Sequence, residues 1–184
     1  MHNSAEVLPL DFVDFLEWEH AQPTRHEFLR GEIVAMTGTT DRHNSISGNF
    51  YMLLRQHLRG GPCKVFMSDV MVRVENADAG FYPDLMVTCA EADREERYAK
   101  REPVLLVEVL SESTAAYDLG EKFAAYRQLP SLREYVLVDP ERPRVQVFRP
   151  GEDGRWVLYP FGPGETLRLE SLKLEMPVAT LYEE

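Results

Sequence analysis

PVLLVEVL, residues 103–110, is apolar at every position but Glu108. Near-continuous apolar character over so short a run marks a central strand covered on both faces, the pattern of a parallel or mixed sheet. The segment AAYDLGEKFAAYRQL (115–129) follows, with helical spacing at Leu119, Phe123 and Tyr126, and EYVLVDP (134–140) reads as a second strand. A strand, one crossover helix and another strand make the unit from which a mixed α/β sheet is built.

Outward from that unit, FYPDLMVTC (81–89) reads as a strand that Asp84 interrupts. CKVFMSDVMVRVE (63–75) supplies one or two more, and EADREERYAKRE (91–102) is a charged connector. Upstream, the apolar set Ile46, Phe50, Leu53, Leu54 and Leu58 keeps helical spacing from an N-cap at Thr40 or Asp41 to the stop at Gly60–Gly61–Pro62. HEFLRGEIVAMTG (26–38) suggests a strand or a hairpin at the Arg30–Gly31 turn, and LDFVDFLEWEHAQ (10–22) a short amphipathic helix with apolar side chains at Leu10, Val13, Leu16 and near neighbours. PRVQVFRP, GRWVLYP and the tail from Thr166 read as further short strands. The expectation is a single α/β domain over 1–184, a mixed central sheet flanked by helices with additional C-terminal strands.

No stretch approaches the ~18–20 apolar residues of a membrane span, and the start lacks the pattern of a signal peptide. A cytoplasmic protein without membrane association is expected. Cys63 and Cys89 are the whole cysteine complement, too few for a thiolate zinc site, and read as reduced core thiols. A net charge of −11 argues against strong non-specific attraction to nucleic acid. Even so, Arg55, Arg59, Lys64, Arg73, Arg94, Arg97, Lys100 and Arg101 gather many of the cations in mid-chain, as a solvated surface or as a phosphate-binding face.

Asp84 and Glu108 lie 24 residues apart, a separation that a strand, a connector and an adjacent strand can fold into side-by-side contact. Two carboxylates in contact on neighbouring buried strands ask for a cation; the alternative is a pair of strand-end acids that face solvent separately. Magnesium is held by a few carboxylates plus water, so these acids with a backbone carbonyl near Val109 could form a partial octahedral site. Lys122 falls toward the apolar face of its helix. It either snorkels to water or aims its ammonium at the acids, where it could orient or deprotonate a water and steady developing charge. Asp118, one turn earlier, is either a plain i,i+4 partner for it or a catalytic group.

HEFLRGEIVAMTG, His43, YPDLMV, LLVEVLSEST, the Asp118–Lys122–Tyr126 helix and EYVLVDP, taken in order, resemble the Uma-type restriction endonuclease family of the PD-(D/E)XK nuclease superfamily. The resemblance spans nearly the whole chain. It implies a restriction-endonuclease-like fold and a magnesium-dependent (or manganese-dependent) endonuclease acting on DNA, working as a homodimer. Asp84 matches the acid of the family's Pro-Asp strand and Glu108 the acid of the strand after it. The superfamily's lysine, two residues beyond the second acid, is Leu110 here, and the resemblance moves its role to Lys122. Either Glu27 or Glu32 completes the metal shell, Glu32 being preferred for its strand setting. His43 touches phosphate or water, or merely caps or packs. Ser111-Glu112-Ser113-Thr114 departs from the family's Ser-Pro-Ser-Thr at Glu112, which loosens the loop without removing a catalytic atom. The rival reading is a nuclease fold kept as a binding or assembly module after the chemistry was lost.

Overall fold

The computed structural model describes residues 6–7, 11–36, 38–112 and 114–183. Leu10 and Ser113 lie outside the described residues. Helix α1 (Phe12–His20) starts at Asp11, whose side chain accepts hydrogen bonds from the Val13 and Asp14 amides. Its buried face differs from expectation: Phe12, Phe15 and Glu19 turn inward and Val13 is exposed. Phe15 stacks on Phe28 at 5.0 Å, and two phenylalanines bury more apolar area than a valine would.

Two six-stranded sheets make up the body. The N-terminal sheet runs β1 (Glu6–Val7), β3 (Glu32–Ala35), β2 (His26–Leu29), β6 (Ala79–Phe81), β5 (Met71–Val74), β8 (Ala99–Lys100). The β2–β3 hairpin turns at Arg30 and Gly31, both at positive φ, the geometry of a two-residue turn matched to strand twist. The central sheet runs β12 (Trp156–Phe161), β11 (Arg144–Pro150), β10 (Glu134–Asp139), β9 (Pro103–Val109), β7 (Leu85–Thr88), β4 (Lys64–Met67). A ribbon of β13 (Thr166–Leu169) and β14 (Leu174–Pro177) follows.

Strand β9 is central, as its apolar run requires. It pairs parallel with β10 and antiparallel with β7. After the short helix α3 (Ala92–Glu95) in the connector from β7 to β8, the parallel pair is joined by the crossover α4 (Ala115–Tyr117), a π-helical turn over Asp118–Lys122, and α5 (Phe123–Tyr126). One face of the central sheet, with Leu85, Val87, Leu105 and Val107, packs on Ile46, Phe50 and Leu54 of α2 (Asp41–His57). The other face, with Met86, Leu106, Tyr135 and Leu137, packs on Ala125 and Tyr126 of α5 and on Val72, Val74 and Phe81 of the N-terminal sheet.

Two expectations are corrected. FYPDLMVTC is not one strand: β6 ends at Phe81 in the N-terminal sheet, the chain crosses over Tyr82–Pro83–Asp84, and β7 begins in the central sheet. Pro83 has no amide hydrogen to continue a ladder, so the break falls where it stands. Cys63 and Cys89 are not free thiols but a disulfide, because the register that sets Lys64 opposite Thr88 brings their neighbours face to face. Among the described residues no helix is long and apolar enough to cross a membrane.

Candidate active site

Side-chain alternation follows from pairing register. Leu85 faces Val107 and Met86 faces Leu106, so Asp84 and Glu108 project from the same face of the central sheet. The Asp84 amide donates to Glu108 Oε2 at 3.3 Å, and the Val109 amide donates to Asp84 Oδ2 at 2.7 Å. The acids of adjacent strands are thus in contact. Asp84 is half-buried and forms the accessible edge of the group, with Glu108 behind it at 3% exposure.

Lys122 is 6% exposed and does not snorkel. Its Nζ stands 2.8 Å from Glu27 Oε1, 3.3 Å from Glu108 Oε1 and 3.4 Å from Asp118 Oδ1. The π-helical turn widens the helix between Asp118 and Lys122 and directs both side chains inward, leaving Leu119 45% exposed where regular spacing had placed it on the apolar face. Tyr126, one turn on, donates its hydroxyl to Glu108 Oε1 at 3.0 Å. His43 lies in the first turn of α2, its amide capped by Thr40 Oγ1 at 3.2 Å and its Nε2 3.1 Å from Asp84 Oδ2.

The structure brings together Asp84, Glu108, Lys122 and His43. It does not bring Glu32. That residue is exposed on β3, one strand farther out and beside the Arg30–Gly31 turn. Glu27, on the interior strand β2, takes the place given to Glu32: its Oε1 accepts the Tyr82 amide at 3.2 Å as well as Lys122. Tyr126 and Asp118 also belong to the group. The signal for Tyr126 is its i+4 spacing from Lys122; Asp118 is the i,i+4 partner its spacing suggests, and it is buried at 2% exposure.

Electrostatics follow from burial and crowding. Desolvation pushes the Glu108 carboxyl well above its ordinary value near 4.5, against the pull of Lys122, and Asp118, Asp84 and Glu27 push the same way. Glu27 and Asp118 are raised by burial too, with Lys122 opposing. Burial is the largest single influence on Lys122 and lowers it, yet Glu108, Glu27 and Asp118 together raise it well above 10.5. Burial likewise lowers His43, but the hydrogen bond and charge of Asp84, with a bond to the Val109 backbone, leave it raised. Four carboxyl groups therefore face one ammonium and one imidazole, and Asp118 Oδ1, buried, accepts no hydrogen bond from the described residues.

That excess of negative charge is one a divalent cation would balance. Asp84 Oδ1 has no hydrogen-bond partner among the described residues, and Glu108 Oε2 accepts only the Asp84 amide. Both are hard oxygen donors, suited to magnesium. No group of three or more His, Cys, Asp and Glu stands ready for a metal among the described residues, so the three-acid shell of Asp84, Glu108 and Glu32 is not assembled. Magnesium keeps several waters and asks for only one or two carboxylates.

Residues 12–179 match the family described as "Uma2: Putative restriction endonuclease". The chain belongs to that family. Two proteins of Synechocystis sp. (strain ATCC 27184 / PCC 6803 / Kazusa) are relatives of this Uma2 chain. One, slr1290, is 36% identical over 179 residues, 97% of this chain and 94% of the relative. The other, sll1609, is 32% identical over 151 residues, 81% of this chain and 85% of the relative. A solved structure described as a "putative nuclease belonging to DUF820" from Anabaena variabilis ATCC 29413 shares the fold with a TM-score of 0.78. It is 17% identical, with 95% of this chain and 98% of that one covered.

Proposed function

We propose that this Uma2 chain is a magnesium-dependent endonuclease that hydrolyses phosphodiester bonds in DNA. The observation that carries the reading is the contact of Asp84 with Glu108 on adjacent strands, with the Lys122 ammonium 3.3 Å from Glu108. Asp84, Glu108 and the Val109 carbonyl would hold the metal. Bound there, magnesium supplies a Lewis acid that polarises the scissile phosphate and lowers the pKa of an attacking water.

The chain's own residues do the rest. Lys122, held charged by three carboxylates, is not a base that takes a proton from water; it steadies the negative charge that builds on the phosphate. Glu27 orients it directly at 2.8 Å, and Tyr126 holds Glu108 Oε1, the oxygen 3.3 Å from the ammonium. His43 fixes Asp84 Oδ2, which leaves Oδ1 for the metal. Manganese fits the same oxygen set. Cutting both strands of a duplex asks for two such sites, hence a homodimer, which sedimentation at working concentration checks. Cytoplasmic placement belongs to this proposal because DNA is found there, although a disulfide is uncommon in that compartment; thiol labelling of protein taken directly from cells decides it.

The deciding experiment is calorimetric titration with magnesium beside a plasmid-cleavage assay in the same buffer. Metal binding and metal-dependent cutting, both lost in Asp84→Asn, are expected. No heat at millimolar metal and no cutting would favour the rival, a nuclease fold serving as a binding module.

A further inference from the structure

The mid-chain cations separate into different environments. Arg73 pairs with Asp78 at 2.9 Å and lies over the Phe12 ring, and Arg101 pairs with Glu75. Four others, Lys64, Arg94, Arg97 and Lys100, line one cavity of about 450 Å³ whose walls include Phe66 and Thr88. Among the described residues Arg94 alone of these has a carboxylate in reach, exposed Glu91 at 4.0 Å.

Lys100 is 4% exposed. Its Nζ donates to the Asp93 carbonyl at 2.6 Å and to the Glu96 carbonyl, and lies 5.0 Å from the centre of the Phe66 ring. An ammonium has three N–H donors, so one remains without an acceptor among the described residues. Carbonyls satisfy hydrogen bonds but do not cancel charge, so the buried ammonium lends the cavity positive potential. Two acids share the lining. Asp93 is buried and its oxygens are taken by Thr88 Oγ1 at 2.6 Å and by the amides of Arg101 and Glu102 at 2.8 and 3.1 Å. Glu96 is exposed at the rim.

The cavity is built on paired strands. Lys64 faces Thr88 and Phe66 faces Met86 across β4 and β7, and the Cys63–Cys89 disulfide ties the same strands one residue farther on. By alternation, Thr88 points from the sheet face that carries Asp84, at the other end of β7, roughly 13 Å away at ~3.3 Å per residue.

We propose that this cavity binds a phosphate group, carried on a nucleic-acid backbone or on a free nucleotide or phosphate ion. In a chain of net charge −11, a preformed cavity lined by four cations against two acids is suited to an anion, and fixed N–H donors suit phosphate oxygens. The site stands whether or not the acid cluster cuts DNA.

Backbone amide spectra of the full chain, free of divalent metal, test it with two probes at matched ionic strength: sodium phosphate and a short single-stranded oligonucleotide. Either probe should shift amides within 62–66 and 88–101, whereas sodium chloride should not. In Lys64→Ala with Arg97→Ala, both exposed positions, affinity should fall about tenfold, the scale for losing two charge-assisted contacts. Oligonucleotide shifts at these amides assign the backbone as source; shifts from phosphate alone assign the free anion. Absence of shifts from both probes, or equal affinity in the double variant, overturns the proposal.

Discussion

At the Asp84 end of β7, four carboxyl groups close around a lysine and a histidine, nearly out of water; at the Thr88 end, four cations line an open cavity with little to pair with. The first group is dear to bury and is held together by mutual contact, so its members depend on one another. The second keeps three of its four cations, Lys64, Arg94 and Arg97, at the solvent, where they cost little and are available to an anion, with only Lys100 buried. Changes at the first end should therefore touch both stability and chemistry, and changes to the exposed cations of the second should touch binding alone.

The largest expected effect is on cleavage. Asp84→Asn or Glu108→Gln should reduce magnesium-dependent cutting about a thousandfold, the scale for losing a group that stabilises charge in a transition state. Each change keeps the shape of its side chain, so thermal melting should show a folded protein; cutting that survives in both would dissolve the contrast between the ends.

Lys122→Met sharpens it next. Three buried carboxyl groups lose their cation, at about 3–5 kcal/mol by urea unfolding near neutral pH, and cutting should fall far more than magnesium affinity. Wild type also carries a pH signature. Glu27, Glu108 and Asp118 bind protons more tightly folded than unfolded, so in metal-free protein their contribution is full below their unfolded values and fades as pH climbs through the raised ones. Stability should thus decline as pH rises above about 5, and magnesium should restore it. A stability curve that rises over that span for these groups would contradict the crowding described.

Smaller is the effect of Cys63→Ser with Cys89→Ser. A bridge closing 26 residues contributes about 3 kcal/mol, readable by denaturation with and without reductant. Phosphate binding at the cationic cavity should weaken while cutting below the melting temperature is unchanged. Least of all, Glu32→Ala should alter stability by no more than about 0.5 kcal/mol and leave cleavage intact, as for an exposed residue away from both ends.

Much of this was legible in residue order. The apolar run of β9, the crossover and EYVLVDP dictate a parallel central pair, and the acids of β7 and β9 meet because antiparallel neighbours set Asp84 beside Glu108. What spacing could not convey was strand order. Glu27 and Glu32 sit on the two arms of one hairpin, and only the pairing of β2 with β6 decides which arm lies inward. Likewise a π-helical turn leaves no mark in a count of residues per turn, so Leu119 was put on the wrong face. The disulfide was hidden for the same reason as Glu27, since strand pairing is a long-range fact.

The crossing at Tyr82–Pro83–Asp84 has a further consequence. Glu27 belongs to one sheet, Glu108 to the other, Lys122 to the crossover helix, and Asp84 to the stretch where the chain passes between sheets. None of these pieces holds the set alone. On the function proposed above, a polypeptide with either sheet unformed is disarmed, so only a finished chain would cut, and its assembly would act as a safety catch.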